Sequence, residues 1–400
     1  MKKSLFGYGG TIKAIAKSGD WDIYDDKFNC CMEDEFGNKL LPASAFDPSF
    51  SELEITSPGI APNNELIKKA RNLISEYDFF ASKMPFNIWI SGTNGKTTTT
   101  KMMQHLLEKF GSQMGGNVGT PLADLSLDAK IWILETSSFT IHYTNVAKPD
   151  IYVLLPVTPD HLSWHGNFNE YEKSKLKPFG MMSENGVIIS PKIYAKTPTK
   201  AHVISYENEF DLAKFCNINI DDIKFKTPFL TDALLALCVE KILLDRCDVE
   251  LLNKFIIENN KLEELYDKSG RLWVNDTKAT NIDATIQALK RYENHKIHII
   301  LGGDDKGVDM NPVFEVLSNA NAEIYAIGSN TNKMVSLANK FNITVHKCEF
   351  LQNAVNEISK NMQIGEVGLL SPACASIDQF KSYAERGDKF KEFIANFTND

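Results

Sequence analysis

The segment FNIWISGTNGKTTTTKMMQHLLEKFG, residues 86–111, constrains the fold more than any other part of the sequence. An apolar run typical of a buried strand leads into a glycine- and threonine-rich loop, and an amphipathic helical pattern follows. A strand, a loop and a helix in this order can hold phosphate groups, because backbone N–H groups and the helix N-terminus point at the anion. The segment therefore predicts one unit of a parallel α/β sheet.

The loop itself departs from the usual phosphate-binding pattern, G-x-x-x-x-G-K-[ST]. Gly95-Lys96-Thr97 supplies the end of that pattern, but Ile90 stands where the first glycine belongs and Gly92 lies two residues too close. In one interpretation Lys96 neutralises the outer phosphates of ATP and Thr97 offers its hydroxyl to Mg²⁺. In the other, the loop is a turn that resembles a phosphate site by chance.

Further apolar runs that end in polar loops follow along the chain, including KIWILE, DIYVLLPV, RLWVNDTKATN, KIHIILGGDDKG, AEIYAIGS and EVGLLSPACAS. Their alternation with helical patterns predicts parallel sheets covered by helices. A first strand–glycine–helix unit, SLFGYGGTIKAIAK, lacks the last glycine of G-x-G-x-x-G, so a tight turn and a nucleotide loop both remain open. We predict three α/β domains, at residues 1–83, 84–259 and 260–400.

Composition excludes several classes of protein. The chain has 400 residues, 43% hydrophobic and 24% charged, with a formal net charge of -9, so wrapping of nucleic acid is not expected. No apolar stretch approaches the roughly 18–20 residues of a membrane span, and the N-terminus does not resemble a signal peptide. Seven cysteines without a C-x-x-C spacing predict reduced core thiols in a cytoplasmic protein and no cysteine-bound metal.

Several polar residues follow the predicted strands of the central region. Glu135 ends one buried strand, where a carboxylate could hold Mg²⁺ or simply close the strand. His161 and His165 follow the next strand in TPDHLSWHG, at the same predicted edge of the sheet. Each could belong to the site or could be an ordinary packed histidine. Lys175 lies in EYEKSKLK, a run that by itself is typical of a solvated helix face.

Six motifs occur here in one order, namely GTNGKT, ETSSF, TPDHL, NDTKATN, GGDDKG and LSPACASIDQF. Together they resemble the Mur ligases over nearly the whole chain, and NDTKATN with SPACASIDQF resembles the branch that adds D-glutamate. The short GTNGKT loop is the form that Mur ligases share with folylpolyglutamate synthases. The resemblance implies a Rossmann-like N-terminal domain, a central P-loop-type ATPase domain with a mainly parallel sheet and a Rossmann-like C-terminal domain.

The resemblance also implies the activity. ATP would activate the carboxylate of UDP-N-acetylmuramoyl-L-alanine as an acyl phosphate, and the amine of D-glutamate would displace phosphate, during cytoplasmic synthesis of peptidoglycan precursors. Two Mg²⁺ ions would assist, and Lys175 would carry a carbamate derived from CO₂. The substrates are small molecules, the protein is expected to be a monomer, and neither nucleic acid nor membrane insertion is involved.

The motifs assign candidate residues to each role. The catalytic candidates are Lys96, Glu135, His161 and Lys175, and the metal candidates are Thr97, Glu135, His161 and Lys175. The ATP candidates are Gly92, Thr93, Asn94, Gly95, Lys96, Thr97, Thr98, Asp232, Lys261, Asp276, Asp304 and Lys306. The UDP-substrate candidates are Gly10, Thr11, Asp25, Asp26, Lys27, Asn117 and Ser137. The D-glutamate candidates are Lys278, Thr280, Ser376 and Tyr383.

Four features depart from the family pattern. Lys261 replaces an arginine and loses its bidentate geometry, Asp232 replaces an asparagine, Tyr383 replaces a phenylalanine, and the first and central domains are short. The first two changes predict weaker ATP binding than in a typical relative. Two alternatives stay open at this point, a related ligase that uses another amino acid and a nucleotide-binding scaffold without activity.

Overall fold

A computed structural model of the chain describes residues 2–117, 119–305 and 307–396. The chain forms two compact units, residues 1–255 and residues 256–400. The described residues form three six-stranded sheets in which most neighbouring strands run parallel, with helices between them. The predicted α/β fold with parallel sheets is confirmed.

The first sheet has the strand order β3-β4-β2-β1-β5-β6 and is parallel except where β3 pairs with β4. Its core lies where Leu5, Ile23 and Ile55 pack against Ile12 and Ile15 of the first helix. The strands and helices of this region are β1 (Lys2–Phe6), α1 (Gly10–Ala16), β2 (Asp22–Asp25), β3 (Met32–Glu33), β4 (Lys39–Pro42), β5 (Ser51–Thr56), α2 (Glu65–Lys69), β6 (Leu73–Ile74) and α3 (Glu76–Phe80).

The second sheet has the order β12-β11-β10-β7-β9-β8, and its strand pairs are parallel throughout. Residues on both faces of β7 and β9 are buried, as continuous apolar runs predict. Its elements are β7 (Phe86–Ser91), α4 (Lys96–Leu107), β8 (Ser112–Gly116), β9 (Ile131–Glu135), α5 (Ser138–Tyr143), β10 (Ile151–Leu154), α6 (Leu162–His165), α7 (Phe168–Met181), β11 (Val187–Pro191), β12 (His202–Tyr206), α8 (Glu209–Cys216), α9 (Phe229–Leu244) and α10 (Val249–Leu252).

The third sheet belongs to the second unit and has the order β13-β14-β18-β15-β16-β17, with only β13 antiparallel to its neighbour. Trp273, Ile300 and Tyr325 lie in its core. Its elements are β13 (Glu263–Tyr266), β14 (Leu272–Asn275), α11 (Ile282–Arg291), β15 (Ile297–Gly302), α12 (Asn311–Leu317), β16 (Ala322–Ile327), α13 (Thr331–Lys340), β17 (Val345–Glu349), α14 (Leu351–Asn361), β18 (Val367–Leu370) and α15 (Tyr383–Ala395).

Some sequence-based expectations need correction or stay predictions. The seven cysteines are free thiols, but Cys30 and Cys31 are exposed and are not core residues. Within the described ranges, no helix has the length and apolar character needed to span a membrane. The predicted boundary near residue 83 falls between α3 and β7, and the second unit begins at Ile256. The division into three domains remains a prediction.

Candidate active site

The glycine-rich loop links β7 to α4 at the carboxyl edge of the second sheet. Gly92 has φ +135°, and a Cβ there would lie 2.5 Å from Leu155 Cβ. Gly95 has φ +88°, and a Cβ there would lie 2.3 Å from Asp232 Oδ1. Both positions therefore require glycine, and the loop delivers Lys96 as the first residue of α4.

Lys96 and Thr93 fix the conformation of this loop. Lys96 Nζ donates hydrogen bonds to the carbonyl oxygens of Gly92 at 3.0 Å and Thr93 at 2.7 Å. Thr93 Oγ1 lies 2.9 Å from the Tyr171 hydroxyl and donates to the carbonyl of Thr158 at 3.0 Å. An ammonium group thus lies beside the N-terminus of a twelve-residue helix, a combination that suits a phosphate group.

Glu135 lies at the end of β9, beside the start of α4. Its Oε2 accepts a 2.8 Å hydrogen bond from Thr97 Oγ1, and its Oε1 accepts one of 2.9 Å from Asn117 Nδ2. The carboxylate is 3% exposed, so these donors hold it in one orientation. The structure therefore brings the metal candidate Thr97 and the UDP-substrate candidate Asn117 into contact with the same carboxylate, that of Glu135.

Asp232 is one of the departures from the family pattern, and it lies directly under the loop. It belongs to α9, is buried, and accepts a 3.1 Å hydrogen bond from Thr99 Oγ1 of α4. Its oxygen also occupies the space beside Gly95. The residue supports the loop and α4 from below.

His161 occupies the turn that precedes α6 and adopts a left-handed conformation with φ +52°. Its Nε2 lies 3.6 Å from Asp160 Oδ2, and its ring is 4.8 Å from the ring of Phe139. His165, four residues later, is buried and lies 2.9 Å from Ser138 Oγ through Nε2. Burial, reinforced by the neighbouring His142, lowers the pKa of His165 to about 4, so this ring is neutral at physiological pH.

Lys175 is not on a solvated helix face, which was the simpler interpretation of its charged run. It lies on the buried side of α7, is 1% exposed, and donates to the Gly92 carbonyl at 2.7 Å and to Ser91 Oγ at 3.3 Å. Burial, with a further contribution from the positive charge of Lys96, places the pKa of Lys175 well below its usual value. A larger share of this amine is therefore neutral than is usual for a lysine.

The donor set around Glu135 suits a hard cation such as Mg²⁺. The described residues hold no cluster of three or more His, Cys, Asp and Glu side chains arranged for a metal ion. Mg²⁺ is commonly bound by one or two carboxylates together with substrate phosphates and water. A carboxylate beside the Thr97 hydroxyl, next to a phosphate-type loop, fits that mode of binding.

The candidates for a nucleotide site in the first sheet lie at the carboxyl ends of β1 and β2. Gly10 and Thr11 begin α1. Asp25 Oδ2 accepts from Tyr8 N at 2.7 Å, and Asp25 Oδ1 accepts from Lys27 N at 2.8 Å. Asp26 and Lys27 form the exposed turn after β2, whereas Ser137 lies in the second sheet and caps α5 through Thr140 N at 3.0 Å.

In the second unit, three of the four D-glutamate candidates lie on loops that follow the adjacent strands β14 and β18. Lys278 is 30% exposed at its side chain and pairs with Glu258 at 3.3 Å, and Thr280 N donates to the Lys278 carbonyl at 2.9 Å. Ser376 is buried after β18, whereas the Tyr383 side chain is 40% exposed at the start of α15.

The second-unit candidates for ATP contacts are arranged around the same loops. Asp276 is buried and accepts from Ser371 Oγ at 2.8 Å, and burial raises its pKa to about 7. Lys261 lies near enough to Asp276 for its charge to oppose that rise. Asp304 forms an antiparallel bridge with Ala375, and Lys306 lies outside the described residues.

The sequence analysis did not identify Arg386, which joins the loop after β14 to the loop after β18. Its guanidinium is 1% exposed and donates from Nε to Thr277 Oγ1 at 2.9 Å and from Nη2 to the carbonyl oxygens of Thr277 at 3.0 Å and Cys374 at 3.2 Å. Arg386 follows Thr277 by 109 residues, so no local pattern could reveal the contact. Tyr171 and Ser371 were missed for the same reason.

Comparison with known families places this arrangement in a class. The model of the Mur ligase middle domain matches residues 90–259, and the model of the Mur ligase glutamate ligase domain matches residues 262–374. These matches include the glycine-rich loop, Glu135, His161 and Lys175 in one region and Lys278 in the other. The chain belongs to the Mur ligase family.

Curated relatives indicate which branch of the Mur ligase family this chain resembles. A Campylobacter jejuni protein named UDP-N-acetylmuramoylalanine–D-glutamate ligase is 59% identical over 98% of this chain and 99% of its own length. A Helicobacter pylori protein of the same name is 44% identical over 98% of this chain and 99% of its own length.

Solved structures support the fold. A MurF ligase from Thermotoga maritima in complex with ADP aligns with a TM-score of 0.58 at 17% identity, covering 86% of this chain and 88% of that chain. The MurC ligase from Thermotoga maritima aligns with a TM-score of 0.55 at 16% identity, covering 98% of each chain.

Proposed function

We propose that this chain is an ATP-dependent amide ligase that joins D-glutamate to UDP-N-acetylmuramoyl-L-alanine during synthesis of peptidoglycan precursors. The observation that carries the proposal is the 59% identity, over nearly the full length of both chains, to a relative named for this reaction. A ligase for another amino acid and an inactive scaffold are not favoured by relatives of this name. We also propose that it works as a cytoplasmic monomer.

The reaction needs two displacements. The carboxylate of the L-alanyl group attacks the γ-phosphorus of ATP, the bond to ADP breaks, and an acyl phosphate forms. The amine of D-glutamate then attacks the acyl carbon, a tetrahedral intermediate expels phosphate, and the amine nitrogen loses a proton. Phosphoryl transfer of this kind depends on positioning and charge neutralisation more than on covalent help from the protein.

The glycine-rich loop supplies that positioning. Amides at the start of α4 and the Lys96 ammonium, which lies 3.0 Å from the Gly92 carbonyl oxygen, would contact the phosphate oxygens of ATP. The positive φ angles of Gly92 and Gly95 support this assignment, because any side chain there would collide with Leu155 or Asp232. The proposed ATP contacts in this loop run from Gly92 to Thr98.

Mg²⁺ fits beside this loop, where it would neutralise charge on the transferring phosphoryl group. We assign Thr97 and Glu135 to one ion and His161 to a second. The 2.8 Å contact between Thr97 and Glu135 supports the first assignment, because it places a hydroxyl and a carboxylate oxygen side by side.

A carbamate on Lys175 is supported by its surroundings. CO₂ reacts with a neutral amine, and burial lowers the pKa of Lys175 so that the neutral form is more accessible. The product would be an oxygen anion near the positive charge of Lys96. Such an anion would offer Mg²⁺ the type of ligand it prefers.

The nucleotide sugar is assigned to the first unit. The turn at Gly10 and Thr11 and the strand end at Asp25, Asp26 and Lys27 would hold the uridine diphosphate part. Asn117 and Ser137 would hold the sugar-peptide part. Asn117 supports this assignment, because its amide binds Glu135 and thus lies beside the proposed site of phosphoryl transfer.

The amino acid is assigned to the second unit. Lys278 would pair with the side-chain carboxylate of D-glutamate, and Thr280, Ser376 and Tyr383 would complete its site. Lys261, Asp276, Asp304 and Lys306 would contribute to ATP binding from this unit. A buried Arg386 that ties the Thr277 and Cys374 backbones together supports a single site built from both loops.

The acyl-phosphate route can be tested by isotope transfer. UDP-N-acetylmuramoyl-L-alanine labelled with heavy oxygen in its carboxylate should transfer one labelled oxygen to the released phosphate, and the product should gain the mass of one glutamate residue. Both are read by mass spectrometry. Amide formation with unlabelled phosphate would exclude this route, and absence of any amide product would exclude the proposed function.

A further inference from the structure

The loop after β5, residues 57–60 with the sequence SPGI, borders the glycine turn after β1. Ser57 N donates to the carbonyl oxygen of Phe6 at 2.9 Å. A Cβ at Gly7 would lie 3.1 Å from Ser57 Cβ and 3.3 Å from Ile60 Cδ1. Both segments follow neighbouring parallel strands, at the edge where ligands of such sheets bind.

Two aromatic side chains of the central region hold this loop. The Trp164 indole Nε1 donates to the carbonyl oxygen of Gly59 at 3.3 Å, and the Tyr143 hydroxyl donates to the carbonyl oxygen of Ile60 at 2.7 Å. The two rings also contact each other, with centroids 5.8 Å apart. We call Tyr143 and Trp164 the aromatic clasp.

A chain of ring contacts connects the aromatic clasp to His161 of the proposed phosphoryl-transfer site. Trp164 lies in α6, three residues after His161, and its ring is 4.5 Å from Phe139. Phe139 in turn lies 4.8 Å from the ring of His161. Tyr143 ends α5, whose N-terminus follows Glu135 after two residues. The clasp residues therefore lie on the two helices, α5 and α6, that closely follow the metal candidates Glu135 and His161.

We infer that the aromatic clasp is a positioning device for the nucleotide-sugar substrate: Trp164 and Tyr143 hold the loop at 57–60 at a fixed distance from His161 and Glu135. The inference rests on the proposed function, since it concerns how that substrate spans the first unit. A substrate bound at the first sheet must place its carboxylate at the γ-phosphate, and an error of about 1 Å there can cost roughly 100-fold in rate. Neither residue need touch ATP or D-glutamate.

The test compares Tyr143→Phe and Trp164→Phe with the wild type. Each removes one donor to the loop while keeping an aromatic ring, so the KM for UDP-N-acetylmuramoyl-L-alanine should rise roughly three- to tenfold, the effect of one lost neutral hydrogen bond. The KM for ATP should stay unchanged. Tyr194→Phe is the matched control, because its hydroxyl donates to Glu172 and not to this loop.

Two results would overturn the inference. One is an unchanged KM for the nucleotide sugar in both clasp variants. The other is an equal rise in the KM for ATP, which would indicate a general loss of structure. The midpoint of thermal unfolding of each variant identifies such a loss. Trp164→Tyr supplies a hydroxyl donor that Trp164→Phe lacks, so it should recover part of the affinity for the nucleotide sugar.

A binding experiment separates this inference from the proposed function. Trp164 is partly exposed, whereas Trp21, Trp89, Trp132 and Trp273 are buried. Titration with the nucleotide sugar alone should therefore change the tryptophan fluorescence through Trp164, and Trp164→Phe should remove this change. Tyr143→Phe should raise the fitted Kd for the nucleotide sugar. A wild type that binds in this way but forms no amide would contradict the proposed function and not the clasp, whereas a Trp164→Phe signal equal to that of the wild type would contradict the clasp.

Discussion

Lys175 carries a titratable amine into the protein interior, where a carbonyl oxygen and a hydroxyl accept its hydrogen bonds. An ammonium group in that environment is costly unless a negative charge compensates it. Carbamylation would remove the positive charge and supply a negative one beside Lys96. This single modification would account for the burial of Lys175, and the lowered pKa of its amine favours the neutral form that reacts with CO₂.

Replacement of Lys175 tests this assignment. Lys175→Ala should lower phosphate release by roughly 10- to 100-fold or more, the range seen when groups that orient metal ligands are removed. Added formate or acetate should restore part of the activity by supplying a carboxylate. Lys173→Ala is the control, since its side chain is 78% exposed on the same helix. Wild-type activity in Lys175→Ala would exclude the carbamate.

Lys278 is the residue that we propose to determine the choice of amino acid. Losing a charged partner costs roughly 2–5 kcal/mol when the pair is shielded from water, and less when water reaches it. Lys278→Ala should therefore raise the KM for D-glutamate by about tenfold or more and leave the KM for ATP nearly unchanged. Steady-state kinetics with Lys268→Ala, an exposed lysine of the same unit, provides the comparison. Equal effects on both substrates would argue against a specific role.

At the scale of elements, α3 anchors the backbone at Leu122, five residues after the substrate candidate Asn117. Glu76 of α3 is 4% exposed and accepts a 3.0 Å hydrogen bond from the backbone N–H of Leu122. Burial raises the pKa of Glu76 to about 8, against the opposing effect of the N–H groups of Leu122 and Ala123. The carboxyl group is therefore protonated in the folded protein at neutral pH.

This raised pKa predicts a pH dependence of stability. Since the folded-state pKa lies above the usual value of 4.5, the contribution is fully present below pH 4.5 and is lost as the pH rises through about 8. Glu76→Gln cannot ionise, so its midpoint of thermal unfolding should fall less than that of the wild type between about pH 6 and about pH 9. Glu52→Gln, at an exposed position, should follow the wild type. Parallel curves for Glu76→Gln and wild type would mean that Glu76 is already ionised when folded.

The elements that sequence could predict are those with continuous apolar runs. IWILE, IYVL and IHIILG become β9, β10 and β15, since strands buried on both faces need such runs. Edge strands such as β12 and β17 carry polar residues and gave no clear signal. Contacts between residues far apart in the sequence could not be predicted either, and the contact of Asp232 with the position of Gly95 is an example. The motifs predicted which residues gather at the carboxyl edges, and only the structure shows which side chains hold them there.

At the scale of the whole molecule, the proposed site residues are distributed over two compact units, residues 1–255 and residues 256–400. The first holds the glycine-rich loop, Glu135, His161 and Lys175, and the second holds Lys278, Thr280 and Ser376. The proposed activity therefore requires both parts of one chain. This requirement explains why the resemblance extends over nearly the full sequence and is not confined to the phosphate loop.

The most direct test of the central claim is phosphate release by the wild-type chain with ATP, Mg²⁺, UDP-N-acetylmuramoyl-L-alanine and one added amino acid at a time. D-Glutamate should stimulate release strongly. D-Glutamine should be a poor substrate because it lacks the charge that would pair with Lys278, and L-glutamate should fail because its side chain would point away from Lys278. If L-glutamate or L-lysine stimulated release as fast as D-glutamate, the assignment of this chain to D-glutamate addition would be wrong.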